Sequence, residues 1–186
     1  MSGSNSFLYR FRLAQFQKIL RKRIAGQVAK KLPVHELKVN QIGILFDATD
    51  MESKNEVIRF AQLIQRLNIR VNLLAFTDHT ERIPSLPFRH FIPKDCSFYF
   101  IPENSDINTF LDFPYDVVIN ADLKQNLSLH YVTAICQAPL KVGPQSIMDE
   151  YYHLILDTKD TFTIKQYISE LISILNKVCF HGRLAT

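Results

Sequence analysis

The sequence lacks tryptophan and contains only five glycines and three cysteines among its 186 residues. With so little glycine, neither a GxGxxG motif nor a Walker-type P-loop occurs, which excludes the common glycine-rich phosphate loops. Cys96, Cys136 and Cys179 are far apart and form no CxxC pair, a pattern typical of buried thiols in a reducing compartment. A GxSxG elbow and an HExxH motif are also absent. These absences leave no familiar catalytic signature and predict no metal and no cofactor.

Long apolar runs are absent as well. No segment approaches the roughly 18 consecutive apolar residues of a membrane span. The first residues are interrupted by Arg10 and Arg12 and lack the apolar segment of a signal peptide. Apolar residues nevertheless make up 47% of the chain, which is enough for a hydrophobic core without crosslinks. We therefore expect a cytoplasmic protein with no transmembrane segment.

Acidic residues are nearly missing from the first 38 positions, where Glu36 is the only acid against nine Lys and Arg. This segment carries a net charge of +8, while the remaining residues, with 13 Lys and Arg against 17 acids, carry −4. We predict two parts, a basic helical arm over residues 1–38 and an α/β domain over residues 39–186. The asymmetry favours contact between the arm and a polyanion or an anionic surface.

The arm has the spacing of an amphipathic helix over residues 7–31, closed by Pro33. The apolar stripe consists of Tyr9, Leu13, Phe16, Leu20 and Ile24. The candidate polyanion-binding residues are the cations Arg10, Arg12, Lys18, Arg21, Lys22, Arg23, Lys30 and Lys31. Two interpretations stay open. The stripe packs on the protein's own core and the cations are only solvated, or the helix docks on RNA phosphates or anionic lipid.

After residue 39 the sequence alternates short apolar runs with amphipathic segments. This alternation predicts an α/β fold with a mainly parallel, Rossmann-like sheet flanked by helices and preceded by the basic amphipathic helix. The predicted strands are residues 41–48, 70–76, 97–101, 116–121, 140–143 and 153–156. The predicted helices are residues 53–67, 106–111, 127–137 and 162–178, and residues 79–94 are predicted to form a loop.

Polar residues follow the predicted strands at their carboxyl ends, where open α/β sheets bind ligands. They form the candidate ligand-binding set Asp47, Thr49, Thr77, Asp78, Asn120 and Asp122. If the first and fourth strands are neighbours, Asp47 and Asn120 meet at this edge, with Asp122 just beyond. Carboxylate oxygens suit a divalent cation, but acids at the start of a turn or helix more often cap free N–H groups. We therefore assign no metal and favour capping for Asp47.

The segments GILFDAT (residues 43–49) and FPYDVVINADLKQNLSLHYVTAICQAPLKVG (residues 113–143), with the basic N-terminal helix, resemble a family of short, uncharacterised bacterial proteins, a domain of unknown function. This resemblance spans most of the chain and implies a fold but no activity. The central segment also resembles the acceptor-side half of heptosyltransferase-type glycosyltransferases, because the run YDVVI is followed by a predicted helix and then by APLKVG. Those enzymes need a second half to bind the nucleotide sugar, so the likeness implies a binding or scaffold role.

Two functions compete. The first is a non-catalytic α/β binding or scaffold module that docks through its basic helix on RNA or a ribonucleoprotein. A membrane surface is the less favoured partner. The charge asymmetry favours this first function, and so do the aromatics between cations in Tyr9-Arg10-Phe11-Arg12, as stacking on bases uses. The alternative is a small enzyme or ligand-binding protein, of sugar or nucleotide type, that uses the polar residues at the strand ends. We favour the first function.

Overall fold

The computed structural model describes residues 3–25, 38–158, 162–180 and 182–184. Their strands are β1 (Gln41–Asp47), β2 (Arg70–Phe76), β3 (Arg89–Phe91), β4 (Val117–Ala121), β5 (Leu140–Pro144) and β6 (Leu154–Leu156). All neighbouring strands pair in parallel, in the order β3-β2-β1-β4-β5-β6. This is the strand order of a Rossmann-type sheet. The predicted α/β fold with a parallel sheet is therefore confirmed.

Helices cover both faces of this sheet. They are α1 (Gly3–Ile24), α2 (Met51–Gln65), α3 (Ser105–Leu111), α4 (Leu127–Ile135) and α5 (Ile164–Leu175). On one face, α2 and α5 bury Phe60 and Tyr167. On the other face, α1, α3 and α4 bury Phe16, Phe110 and Leu129. Within the described part of the chain, none of the helices combines the length and the apolar character that crossing a membrane requires.

Side-chain caps fix where α2, α4 and α5 begin, and Asn104 caps α3 in the same way. Asp50 Oδ2 accepts a hydrogen bond from Ser53 N at 2.8 Å at the start of α2, as expected for an acid at that position. Asn126 caps α4, and Thr163 forms a capping box with Gln166 at the start of α5. Each cap satisfies N–H groups that the first helical turn leaves without partners. The caps hold the loops that precede these helices at the carboxyl edge of the sheet.

The N-terminal helix packs on the rest of the protein. It begins at Gly3, earlier than the predicted start at residue 7, and residues 26–37 lie outside the described part of the chain. Phe16 and Leu20 are fully buried, and the Phe16 ring centroid lies 6.1 Å from that of Tyr131 in α4. The interpretation that the apolar stripe packs on the protein's own core is thus confirmed for Phe16 and Leu20. The division of the chain at residue 38 stays a prediction.

Two predicted segments were wrong. Residues 97–101 form a turn rather than a strand, because Phe100 adopts a left-handed φ of 61° that a strand does not contain. The predicted loop 79–94 contains β3, which pairs with the end of β2. Because β3 is only three residues long, it has no periodic pattern of its own.

Candidate functional site

A cleft of about 250 Å³ opens at the carboxyl edge of the sheet, where β1 and β4 meet and the strand order reverses. Ligands of open α/β sheets bind at such a point. Its charged side chains are Asp47, Asp50, Glu52, Asp122 and Lys124. Four carboxylates against one ammonium make this acidic cleft unfavourable for phosphate. It suits a cation or the hydroxyl groups of a sugar.

Both carboxylate oxygens of Asp47 already have partners. Oδ1 accepts a hydrogen bond from Thr49 N at 2.8 Å, and Oδ2 lies 3.1 Å from Lys124 Nζ. The carboxylate therefore closes the turn after β1, which is the capping role favoured from the sequence, and links that turn to the β4–α4 loop. Among the described residues, no group of three or more His, Cys, Asp and Glu side chains is placed to hold a metal ion.

Asp122 organises the loop that leads into α4. Its side chain is buried, with Oδ1 accepting from Lys124 N at 3.0 Å and Oδ2 from Asn126 N at 2.6 Å. Burial raises the pKa of this carboxyl to about 6, against the opposing effect of the two N–H donors. Asp47 and Asp122 line the same cleft, so the structure does bring these two acids together, and the carboxylate of Asp47 adds to the rise in the pKa of Asp122.

Three further residues of the predicted set lie near this edge but outside the acidic cleft. Asp78 N donates a hydrogen bond to Thr49 Oγ1 at 3.0 Å, which joins the turns after β1 and β2. Thr77 is buried, and its hydroxyl has no hydrogen-bond partner among the described residues. These residues support the architecture of the edge. Thr49 contacts Asp47 through its backbone N–H, while Thr77 and Asp78 do not line the acidic cleft.

Asn120 does not reach the edge, contrary to the expectation that it meets Asp47 there. It pairs in register with Leu45 and is fully buried. Its Nδ2 donates to Tyr152 Oη at 2.8 Å, and that hydroxyl is hydrogen-bonded to His130 Nδ1 at 2.6 Å. Burial lowers the pKa of His130 to about 4. Asn120 therefore belongs to a polar network in the core, away from Asp47.

The solvent-facing side of α1 carries the predicted polyanion-binding cations. Those exposed are Arg10, Lys18, Arg21, Lys22 and Arg23. Arg10, Lys18, Arg21 and Lys22 fall within about 120° on a helical wheel, and we call them the basic face of α1. Among the described residues, their only acidic neighbour within 4.0 Å is Glu150, 3.9 Å from Arg21 and itself more than half exposed. Lys30 and Lys31 lie outside the described residues.

Arg12 differs from the other cations because it is half-buried. Its guanidinium carbon lies 4.6 Å from the centre of the Phe98 ring and 3.9 Å from that of Phe100. Its Nε donates a hydrogen bond to the Phe98 carbonyl oxygen at 2.7 Å. Arg12 thus holds residues 97–100 against α1 through cation–π contacts and one hydrogen bond.

Several aromatic side chains of α1 and of the turn at 97–100 are exposed. Phe7 is 75% exposed, Phe98 54% and Tyr9 48%. The ring of Phe11, also exposed, lies 6.4 Å from that of Tyr99, centre to centre, which connects the helix to the 97–100 turn. Exposed aromatic side chains beside cations are typical of an interaction surface.

Sequence reasoning missed two residues of these surfaces, Lys124 and Phe98. Lys124 follows the strand-end acid Asp122 by two positions, and a cation so close to paired carboxylates was the signal for it. Three aromatics in a row at 98–100 favoured a strand from the sequence. The run lacks the polar alternation of a half-buried strand, and this absence was the available signal for a surface turn.

One family model matches the chain. It covers residues 13–178 and is described as a family of unknown function, DUF6913. No curated protein and no solved structure matches. The resemblance to an uncharacterised domain family is therefore confirmed, while the likeness to heptosyltransferases stays a prediction.

Proposed function

The chain belongs to the DUF6913 family of unknown function, and we propose that it is a non-catalytic binding module that docks on RNA or a ribonucleoprotein through α1. The observation that carries this proposal is the basic face of α1, whose four cations are exposed on one side of the helix. The opposite side of the same helix is anchored by the buried Phe16 and Leu20. The charges are thereby held on a rigid support and point to solvent.

Electrostatics supports a polyanion as the partner. Three of the four cations, Arg10, Lys18 and Lys22, have no acidic side chain within 4.0 Å among the described residues. Their charge is available to phosphates, and each phosphate that they neutralise releases condensed counterions and adds to affinity. The acidic cleft lies at the carboxyl edge of the sheet, so the two charge signs occupy separate surfaces.

Aromatic residues beside the cations favour RNA over a partner that offers negative charge alone. Phe7 and Phe11 are exposed on the same helix as the basic face, close to the predicted phosphate-binding side chains. Nucleic-acid surfaces of proteins combine charges that follow the backbone with rings on which bases stack. The same helix thus offers both kinds of contact.

A charge-reversal experiment tests the proposal. We compare Lys18→Glu/Lys22→Glu with Lys165→Glu/Lys177→Glu, which alters two exposed lysines on or next to α5 and changes the net charge equally. Binding of a fluorescein-labelled RNA hairpin is measured by anisotropy at several salt concentrations. The α1 variant is expected to lose at least about tenfold in affinity and to show a shallower salt dependence. Equal losses in both variants would remove the proposal.

A second candidate is a small-molecule binding function at the acidic cleft. The observation that favours it is the position of this 250 Å³ cleft at the reversal point of the strand order. Its carboxylates suit a hydroxylated or cationic ligand. The Asp47→Asn and Asp122→Asn variants should weaken the binding of a small molecule at the acidic cleft and leave RNA binding unchanged, because neither residue belongs to α1.

A further inference from the structure

A second cleft, of about 520 Å³, lies between the N-terminal half of α1, the turn at 97–100 and the loop before α4. Its walls include Tyr9, Arg12, Phe98, Phe100 and Asn126. Among the described residues, no acidic side chain lines it and Arg12 is its one charged group. We call it the aromatic cleft. Its one charged group is a cation, whereas carboxylates dominate the acidic cleft.

We propose that the aromatic cleft binds an unpaired nucleotide of single-stranded RNA, with the base stacked on Phe98 and a phosphate oxygen on Arg12. The inference rests on the proposed function and specifies the form of RNA that α1 recognises.

Phe98 provides the stacking surface. The Arg12 guanidinium covers one face of its ring, at 4.6 Å from the ring centre, and 54% of the residue still faces solvent. Tyr9, 48% exposed, stands at the same rim. Stacking of a base on an aromatic ring that is itself stacked on an arginine is a common element of single-strand recognition.

Arg12 is oriented in advance for the phosphate. Its Nε is held by the Phe98 carbonyl and its plane by the rings of Phe98 and Phe100. No carboxylate of the described residues lies within 4.0 Å of it. A guanidinium fixed in this way loses little conformational freedom when it binds a phosphate oxygen.

Several polar groups of the cleft are already hydrogen-bonded within the protein. Asn126 Oδ1 accepts a hydrogen bond from Ser128 N, Ser128 Oγ donates to the Phe100 carbonyl, and Ser97 Oγ accepts from Ile101 N. Recognition therefore rests mainly on stacking and charge, which every base and every phosphate offers.

The backbone around the cleft is unusual as well. Phe100 has a φ of 61° and Gln125 a φ of 60°, and both residues line the cleft. The left-handed region is unfavourable for bulky side chains, and residues held there concentrate at ligand sites.

A single strand fits this surface better than a lipid bilayer. The cleft is concave, and the acidic cleft lies along the same edge of the sheet, where a flat anionic membrane would bring its headgroups against Asp47 and Asp50. A flexible strand can place one nucleotide in the aromatic cleft without bringing the rest of its backbone against these acids.

The test compares full-length variants for binding to a fluorescein-labelled eight-uridine strand and to an RNA duplex of equal length. Phe98→Leu keeps an apolar side chain but removes the ring, and Phe98→Tyr keeps the ring. Ile155→Ala, an exposed position in β6, is the matched control. Wild type is expected to prefer the single strand, Phe98→Leu to lose about fivefold or more of that affinity, and Phe98→Tyr and the control to retain it. Duplex binding should not respond to any of these changes.

Three results would overturn the inference. One is unchanged single-strand affinity in Phe98→Leu, and another is equal affinity of wild type for both RNAs. The third is binding to phosphatidylserine vesicles that Phe98→Leu retains, together with no binding to the single strand. If the Lys18→Glu/Lys22→Glu variant still weakens binding to both RNAs, the proposed function stands although this inference fails.

Discussion

The guanidinium carbon of Arg12 lies 3.9 Å from the centre of the Phe100 ring, and Arg12 Nε donates to the carbonyl oxygen of Phe98. The hydrogen bond from Arg12 to Phe98 joins α1 to a turn 86 positions further along the chain. Because Phe100 adopts a left-handed φ of 61°, the contacts of Arg12 help to keep the turn in an otherwise unfavourable conformation. The surface at which we place RNA thus depends on Arg12 structurally as well as electrostatically.

Replacing Arg12 by Met should destabilise the protein by about 1–2 kcal/mol, because the cation–π contacts and one charged hydrogen bond are lost while the apolar stem remains. Arg10→Met is the control, since Arg10 is exposed on the same helix and should change the stability by less than about 0.5 kcal/mol. The free energy of unfolding in urea measures both. Similar values for the two variants would contradict the role of Arg12 in holding the turn.

Phe16→Ala should lower the free energy of unfolding by about 3–5 kcal/mol, because Phe16 is fully buried between α1 and α4. Phe7→Ala, at a residue 75% exposed on the same helix, should leave it nearly unchanged. The comparison also tests the division of the chain at residue 38. An arm that is independent of the domain would give two variants with the same urea midpoint as wild type.

The central strands were predictable because burial on both faces leaves a continuous apolar run in the sequence. β1 and β4 are buried along their whole length, and the predicted strands 41–48 and 116–121 match them to within one residue at each end. The missing polar alternation was the one sequence signal against a strand at 97–101. The place of the aromatic rings could not be predicted, because it is decided by α1, which is distant in sequence. Local pattern contains no information about such a contact.

The candidate site was predictable as far as strand direction defines it. Asp47 and Asp122 follow parallel neighbours, so the topology places both carboxylates at one edge. Asn120 shows the limit of this reasoning. Its amide turns inward because Tyr152 and His130, from later elements, offer hydrogen bonds in the core. The ion pair of Asp47 with Lys124 likewise forms only when two loops meet.

Gly143→Ala should unfold or strongly destabilise the protein, because a Cβ at this position would lie 2.3 Å from Tyr152 Cε1. Tyr152 cannot move away without breaking its hydrogen bonds to Asn120 and His130. Gly43→Ala meets its nearest atom, Phe110 Cζ, at 2.8 Å and is expected to be milder. Thermal melts of both variants measure the difference, and a Gly143→Ala variant that melts with or above Gly43→Ala would contradict the packing of Tyr152.

The titrations of the buried His130 and Asp122 should have opposite effects on the free energy of unfolding in acid. The folded-state pKa of His130 is lowered to about 4, so stability is lost as the pH falls from about 6.5 to 4. The pKa of Asp122 is raised to about 6, so this group adds stability as the pH falls from about 6 to 4. The wild-type stability should therefore change little over the range in which both groups titrate.

His130→Gln removes one of these two effects. Relative to wild type, the variant should gain stability as the pH falls from about 6.5 to 4, by up to about 1.4 kcal/mol per pH unit. Urea unfolding at several pH values measures it, with the exposed His79→Gln as the control. A constant difference between His130→Gln and wild type at every pH would show that His130 does not titrate in this range.

Lysine-selective acetylation with mass spectrometry, in the absence and presence of single-stranded RNA, tests most directly whether the basic face of α1 is the docking surface. Lys18 and Lys22 lie on that face, while Lys165 and Lys177 lie on or next to α5, on the other side of the sheet, and all four are exposed. RNA should slow the acetylation of Lys18 and Lys22 severalfold and leave Lys165 and Lys177 unchanged. Equal protection of all four lysines, or protection confined to Lys165 and Lys177, would contradict docking through α1.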